Sequence, residues 1–139
     1  IVVREAKRGD VILDDQFLVA PGGEHTVVVK HNEQSKIDFA EAPPQFGLKP
    51  CADLLFSSIA DVFKSQAIGV VLTGMGHDGA RGVEVIKDNG GITIAEDPKT
   101  AIVPGMPKAA IKTGKIDFVL RLGDIPKLIM ELNTIDQGQ

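Results

Sequence analysis

The stretch IGVVLTGMGHDGARG, residues 68–82, decides how this chain of 139 residues folds. Ile68 to Leu72 is a short, β-branched apolar run, and it predicts a buried strand rather than a helix. Thr73 to Gly79 is a glycine-rich turn. Ala80 to Asn89 then predicts a helix, which Gly90-Gly91 ends. Strand, tight turn and helix in that order are the repeating unit of an α/β sheet.

The same alternation extends outward in both directions. Downstream, Ile92 to Ala95 predicts a strand and Met106 to Thr113 a helix stopped by Gly114. Phe118 to Leu120 predicts a short strand. Asp124 to Leu132 predicts a last helix, with Asp124 as N-cap and Pro126 in its first turn. Asn133 to Gln139 is polar and is expected to fray. Upstream, Leu54, Leu55, Ile59, Val62 and Phe63 recur at helical spacing and predict an amphipathic helix from Cys51 onward. Ala42 to Pro50, rich in proline, is a loop. His25 to Lys30 and Ile37 to Ala40, around polar His31 to Ser35, predict a β-hairpin. Phe17 to Ala20 is another apolar run, stopped by Pro21-Gly22-Gly23. The expected fold is α/β: a doubly wound, mostly parallel, Rossmann-like sheet with helices on both faces, plus a hairpin near the N-terminus.

Composition sets the bounds. The length suits one domain, and 43% hydrophobic with 24% charged residues suits a globular protein rather than a disordered one. No apolar run reaches membrane-spanning length, so membrane insertion is not expected. The net charge of −4 argues against a chain-wide basic surface for nucleic acid, and the absence of Trp and Tyr argues against base-stacking platforms. A single cysteine, Cys51, excludes an internal disulfide. Three scattered histidines show no ligand spacing, and no metal is expected.

Ligands and catalytic groups of open α/β sheets gather at the carboxyl ends of the strands, which points to Thr73–Gly82. Two readings compete there. Gly74-x-Gly76-x-x-Gly79 matches a dinucleotide fingerprint, with Glu96 and Asp97 roughly where a ribose-binding carboxylate belongs. Against it, Asp78 stands where the pyrophosphate would sit and would repel it. In the second reading Asp78 is itself the functional group, orienting a histidine that takes a proton from a serine. A capping role for Asp78 at the following helix competes with this and can coexist with it.

The remaining residues supply no evident nucleophile. His77 is adjacent to Asp78, a poor geometry for an orienting bond. His25 follows a turn and is either structural or directed into a site; His31 is expected to be solvated. Ser57 and Ser58 lie in a predicted helix, where a hydroxyl usually bonds back to the backbone. No Gly-x-Ser-x-Gly elbow exists. Cys51 lies at a helix start, where a thiol pKa can be lowered, but no histidine is evidently paired with it.

The ordered motifs Thr73-Gly74-Met75-Gly76-x-Asp78-Gly79-Ala80-x-Gly82, Ala20-Pro21-Gly22-Gly23-x-His25 and Pro50-x-x-Asp53-x-Leu55-Phe56-x-Ser58 resemble the chemotaxis protein-glutamate methylesterases. Thr93-Ile94-Ala95-x-Asp97, Gly105-Met106-Pro107-x-Ala109, and Gly114 with Val119-Leu120 follow in the same family order. The resemblance implies an α/β serine hydrolase of the cytoplasm that removes methyl esters from glutamates of methyl-accepting chemoreceptors, with glutamine deamidation as a further activity. It needs no cofactor. It makes Asp78 the acid of a Ser-His-Asp triad and places Met75 and Gly76 near the oxyanion. His77 departs from the Asn usual there, and Cys51 replaces a frequent Ser as a small packing residue. The family's serine and histidine precede the segment that Ile1 to Asp10 resembles. The chain opens on Ile1-Val2-Val3, without Met or a secretory leader pattern. Residues 1–139 are therefore expected to be the later part of the catalytic domain, inactive alone, with the serine, the histidine and any receiver domain upstream. A dinucleotide-binding domain and a non-catalytic module docking on a receptor or receiver are the alternatives.

Overall fold

The computed structural model describes residues 1–137. Its centre is a parallel sheet of three strands, Ile68–Val71 (β5), Ile92–Glu96 (β6) and Phe118–Leu120 (β7), in the order β5-β6-β7. Helices Ala80–Asp88 (α2) and Gly105–Lys112 (α3) are the crossovers between them. Right-handed crossovers between successive neighbouring strands put both helices on one face. Ile125–Gln137 (α4) follows β7. The α/β class, the parallel sheet flanked by helices and the separate hairpin are all as the sequence implies.

The first part of the chain forms two further sheets. Val2–Glu5 (β1) and Gln16–Val19 (β2) pair in parallel, and His25–His31 (β3) and Gln34–Ala40 (β4) form the antiparallel hairpin. Ala52–Phe63 (α1) packs against both β3 and α2. It joins the hairpin's apolar cluster (Ala6, Val28, Ile37) to that of the parallel sheet (Ala60, Ala67, Ile86), with Ile59 and Phe63 touching both.

Two expectations are corrected. The hairpin loop is not His31 to Ser35 but a two-residue turn, Asn32-Glu33, with φ of 49° and 66°. Both residues are left-handed, which matches a primed turn to the strand twist, so the polar flanks become ladder rather than loop. Residues 133–137 are helical rather than frayed. Here Leu132 and Ile135 extend the apolar face that borders Ile68 and Ile92. Residues 138–139 of the expected tail lie outside the described residues.

α2 ends as its glycines predict. Gly91 N–H donates to Ile86 O at 2.9 Å and Gly90 N–H to Lys87 O at 3.0 Å, with Gly90 at φ +88°. This is a Schellman closure that satisfies the last carbonyls. At the other end, α2 lies so close to α1 that a Cβ on Gly82 would sit 2.7 Å from Phe56 Cβ. Only glycine permits that approach.

The β1–β2 pair carries a different surface. Its register sets Val3 opposite Phe17 and Glu5 opposite Val19, so these four side chains share one face. Val3, Phe17 and Val19 are 65%, 60% and 48% exposed, an uncovered apolar stripe.

Candidate active site

β5 ends at Val71, and the glycine-rich turn carries the chain across the carboxyl end of the sheet. The turn is held from below. Glu96, buried at the end of β6, accepts the Thr73 N–H at 2.8 Å. Thr73 Oγ1 accepts Val103 N–H at 2.7 Å, and Gly74 N–H donates to Val103 O at 2.9 Å. The Met106 N–H closes the latch on Gly74 O at 2.8 Å.

Asp78 stands at the far end of this turn. Its carboxylate does not cap α2, the helix it precedes; Gly79, at φ +95°, occupies that N-cap position. Instead Asp78 caps α1. Oδ2 accepts the Ala52 N–H at 2.8 Å and Oδ1 the Asp53 N–H at 3.1 Å. Asp53 returns the arrangement: its Oδ1 accepts Gly79 N–H at 3.0 Å and Gly82 N–H at 2.8 Å. Two helix N-termini are thus capped crosswise: α2 by Asp53 from the first turn of α1, and α1 by Asp78 from just before the N-cap of α2. Each carboxylate is balanced by N–H donors and the positive end of a helix, and among the described residues neither is in a salt bridge.

This exchange overturns the dinucleotide reading. The N–H groups that would hold a pyrophosphate at the start of α2 are already taken by the Asp53 carboxylate. Glu96 is turned inward onto Thr73, and Asp97 Oδ1 accepts the Lys99 N–H at 2.9 Å within its own turn. Glu96 is thereby buried away from any ribose.

A cleft of about 200 Å³ lies over the turn, lined by Gln45, Leu48, Asp53, Gly76 and Asp78, with Phe46, Met75 and His77 on its walls. Phe46 and His77 meet edge to face, their ring centroids 4.7 Å apart. Met75 is 86% exposed. Among the described residues no backbone N–H from Met75 to Asp78 has an acceptor, and those of Met75 and Gly76 are two consecutive free donors beside the cleft. A larger groove, about 350 Å³, lies between α4 and the starts of β5 and β6. It has no titratable side chain and sits at the amino ends of the strands, the wrong end for α/β chemistry.

The other candidates are structural. His25 is fully buried, and its Nε2–H donates to Pro43 O at 3.0 Å. His31 is exposed at the end of β3. Ser58 Oγ donates back to Leu55 O at 2.8 Å, as expected of a helical serine, and accepts the Val28 N–H at 2.9 Å. Cys51 is buried at the N-cap of α1. Burial pushes its thiol above the usual range, and the nearby Asp78 and Asp53 charges add to that. The lowered pKa that a helix start allows is therefore reversed, and Cys51 packs rather than reacts. The residue that sequence reasoning passed over is Asp53. Asp53 stands in the Pro50-x-x-Asp53-x-Leu55-Phe56-x-Ser58 motif and in the first turn of a helix, but neither signal assigned it a role.

The CheB methylesterase family model matches residues 1–129. A Pyrococcus abyssi protein named protein-glutamate methylesterase/protein-glutamine glutaminase is 45% identical over 138 residues, 99% of this chain and 38% of that protein. One of the same name from Clostridium acetobutylicum is 42% identical over 132 residues, 95% of this chain and 37% of its own length. The chain thus spans less than two-fifths of these curated relatives. The crystal structure of the Thermotoga maritima CheB methylesterase catalytic domain superposes with a TM-score of 0.91 at 35% identity, over 93% of this chain and 68% of that one. No helix among the described residues is long and apolar enough to cross a membrane. On the family match and these similarities together, the chain belongs to the CheB methylesterase family.

Proposed function

We propose that residues 1–139 are the later part of a protein-glutamate methylesterase catalytic domain, with Asp78 as the acid of its Ser-His-Asp triad. The observation that carries this reading is Asp78 itself. It is a half-buried carboxylate at the carboxyl end of β5, fixed by two N–H donors from α1, and it lines a cleft beside two free backbone donors. Each Asp78 oxygen accepts one N–H, and a carboxylate oxygen has a second lone pair. That capacity suits an imidazole N–H.

In the completed site a serine from the preceding segment attacks the ester carbonyl of a glutamate side chain, and a histidine takes its proton. Asp78 holds that histidine in one tautomer and stabilises the imidazolium. The Met75 and Gly76 N–H groups serve the oxyanion. The tetrahedral intermediate collapses, and methanol leaves with the proton from the imidazolium. Water then attacks the acyl-enzyme, the histidine again accepting and returning a proton, to release the glutamate and free serine. Glutamine deamidation, named in the relatives, follows the same course with ammonia as leaving group. The substrate is a methyl-accepting chemoreceptor on its cytoplasmic side, and a receiver domain upstream is the regulatory partner.

The exposed stripe of Val3, Phe17 and Val19 supports the domain assignment. The remaining third of a domain like that of Thermotoga maritima would cover it. The test is Asp78→Asn in the full-length protein, measured by methanol release from a methylated receptor fragment. The expected result is a fall in kcat of about 10⁴-fold with the fold retained. A folded variant near the wild-type rate overturns the role of Asp78.

A further inference from the structure

We infer that Asp53 is the positioning residue that sets Asp78 in place for the reaction, an inference that rests on the catalytic reading of Asp78. The bonds between the two residues form a closed loop. Asp53 gives its own N–H to Asp78 Oδ1 at 3.1 Å, while its carboxylate takes the N–H of Gly79, the residue directly after Asp78, at 3.0 Å. The Asp53 Oδ1 that accepts the Gly79 N–H also accepts the Gly82 N–H, at 2.8 Å. Asp78 is therefore held twice from one position on α1, through its side chain and through the backbone that follows it.

The surroundings make that grip necessary. Gly76 and Gly79 both have left-handed φ, at 94° and 95°, so the turn that carries Asp78 is built from residues with little conformational preference of their own. On its upstream side the turn is anchored by Thr73, Gly74 and Glu96. From Met75 to Asp78 no backbone N–H finds an acceptor among the described residues. The Asp53 carboxylate is the side-chain anchor on the downstream side. Gly79 and Gly82 are buried, so without Asp53 their N–H groups would have to move to find another partner. A triad carboxylate displaced by about 1 Å loses the histidine geometry at a cost of about 10²-fold in rate.

Hydrogen-bond geometry, rather than charge, is what Asp53 contributes, and two variants of the full-length protein separate these. Asp53→Asn keeps an oxygen at the position of Oδ1 and removes the charge. Asp53→Glu keeps the charge and displaces the oxygen by one methylene. The expected result, read as kcat per folded molecule in methanol release, is Asp53→Asn within about threefold of wild type. Asp53→Glu is expected to fall about 10- to 100-fold, with KM unchanged in both. Asp53→Ala should resemble Asp53→Glu. Asp117→Ala removes a comparable carboxylate that accepts the Thr93 N–H at the amino end of β6, so it should lower thermal stability without lowering kcat. The reverse order, with Glu near wild type and Asn impaired, overturns the inference, as does equal activity in all three Asp53 variants. If Asp78→Asn is inactive while Asp53→Ala and Asp53→Glu are fully active, only the positioning role fails. If Asp78→Asn is active, the catalytic reading beneath it fails.

Discussion

β6 and β1 are both apolar strands of parallel sheets, yet their surroundings are opposite. In β6, every residue after Ile92 is buried, and Ile94 is fully inaccessible. In β1, Val2 and Val3 are 58% and 65% exposed. β6 lies between β5 and β7, under the two crossover helices. β1 pairs with β2 alone. Side chains of the same kind thus acquire different energetic meaning from their neighbours. In β6 they are core, and in β1 they are exposed surface.

The largest expected effect tests the buried side of that contrast. Ile94→Ala should cost about 2–5 kcal/mol in denaturant unfolding, because it leaves a cavity between layers that cannot collapse. A loss below about 1 kcal/mol would mean that β6 is not the rigid centre.

Next is the carboxylate that pins the amino end of β6. Asp117 accepts the Thr93 N–H at 3.0 Å and pairs with Lys87 at 2.6 Å. Burial works to raise its pKa, but the Lys87 and Thr93 hydrogen bonds outweigh it and the net direction is down. A carboxylate depressed on folding contributes stability above its unfolded pKa of about 3.9, and that contribution is lost as pH falls through the lower folded value. Asp117→Ala should cost about 1–3 kcal/mol at neutral pH. Asp117→Asn should flatten the decline of thermal midpoint below about pH 4. An unchanged acid limb would show that Asp117 is not linked to folding.

In the first half of the chain the effects are smaller. Glu33→Gly relieves a left-handed glutamate in the hairpin turn and should stabilise by about 0.4–1 kcal/mol. Destabilisation would place that turn outside the primed class. Smallest of all, Phe17→Ala in this chain should change stability by no more than about 0.5 kcal/mol. In the full-length protein the same change should cost several times more. Equal values in the two would remove the argument that this stripe is covered there.

Much of the parallel half was legible because its signals are local. β5, α2 and β7 follow from short apolar runs punctuated by glycines, and the Gly90-Gly91 stop is written directly in the sequence. The hairpin was legible in kind but not in register, since Gln34 and Ser35 look like loop until Asn32 and Glu33 are known to be left-handed. Asp78 could be singled out by its place after a strand. Its partner could not. The bonds to Ala52 and Asp53 join residues 26 and 25 positions apart, and only the packing of α1 on α2 brings them together. Cys51 was uncertain for the same reason, because burial and not position decided its thiol.

The double use of the Ser58 hydroxyl gives the folding reaction a built-in reporter. The Val28 amide is not part of the hairpin ladder, since its proton goes to Ser58 Oγ across the junction with α1. Hairpins form locally within microseconds, whereas the docking of a helix from beyond a long loop comes later in the assembly of a domain. Exchange of the Val28 proton with deuterium therefore times the closure of α1 onto the hairpin and not the formation of the hairpin itself. One amide signal separates the two events.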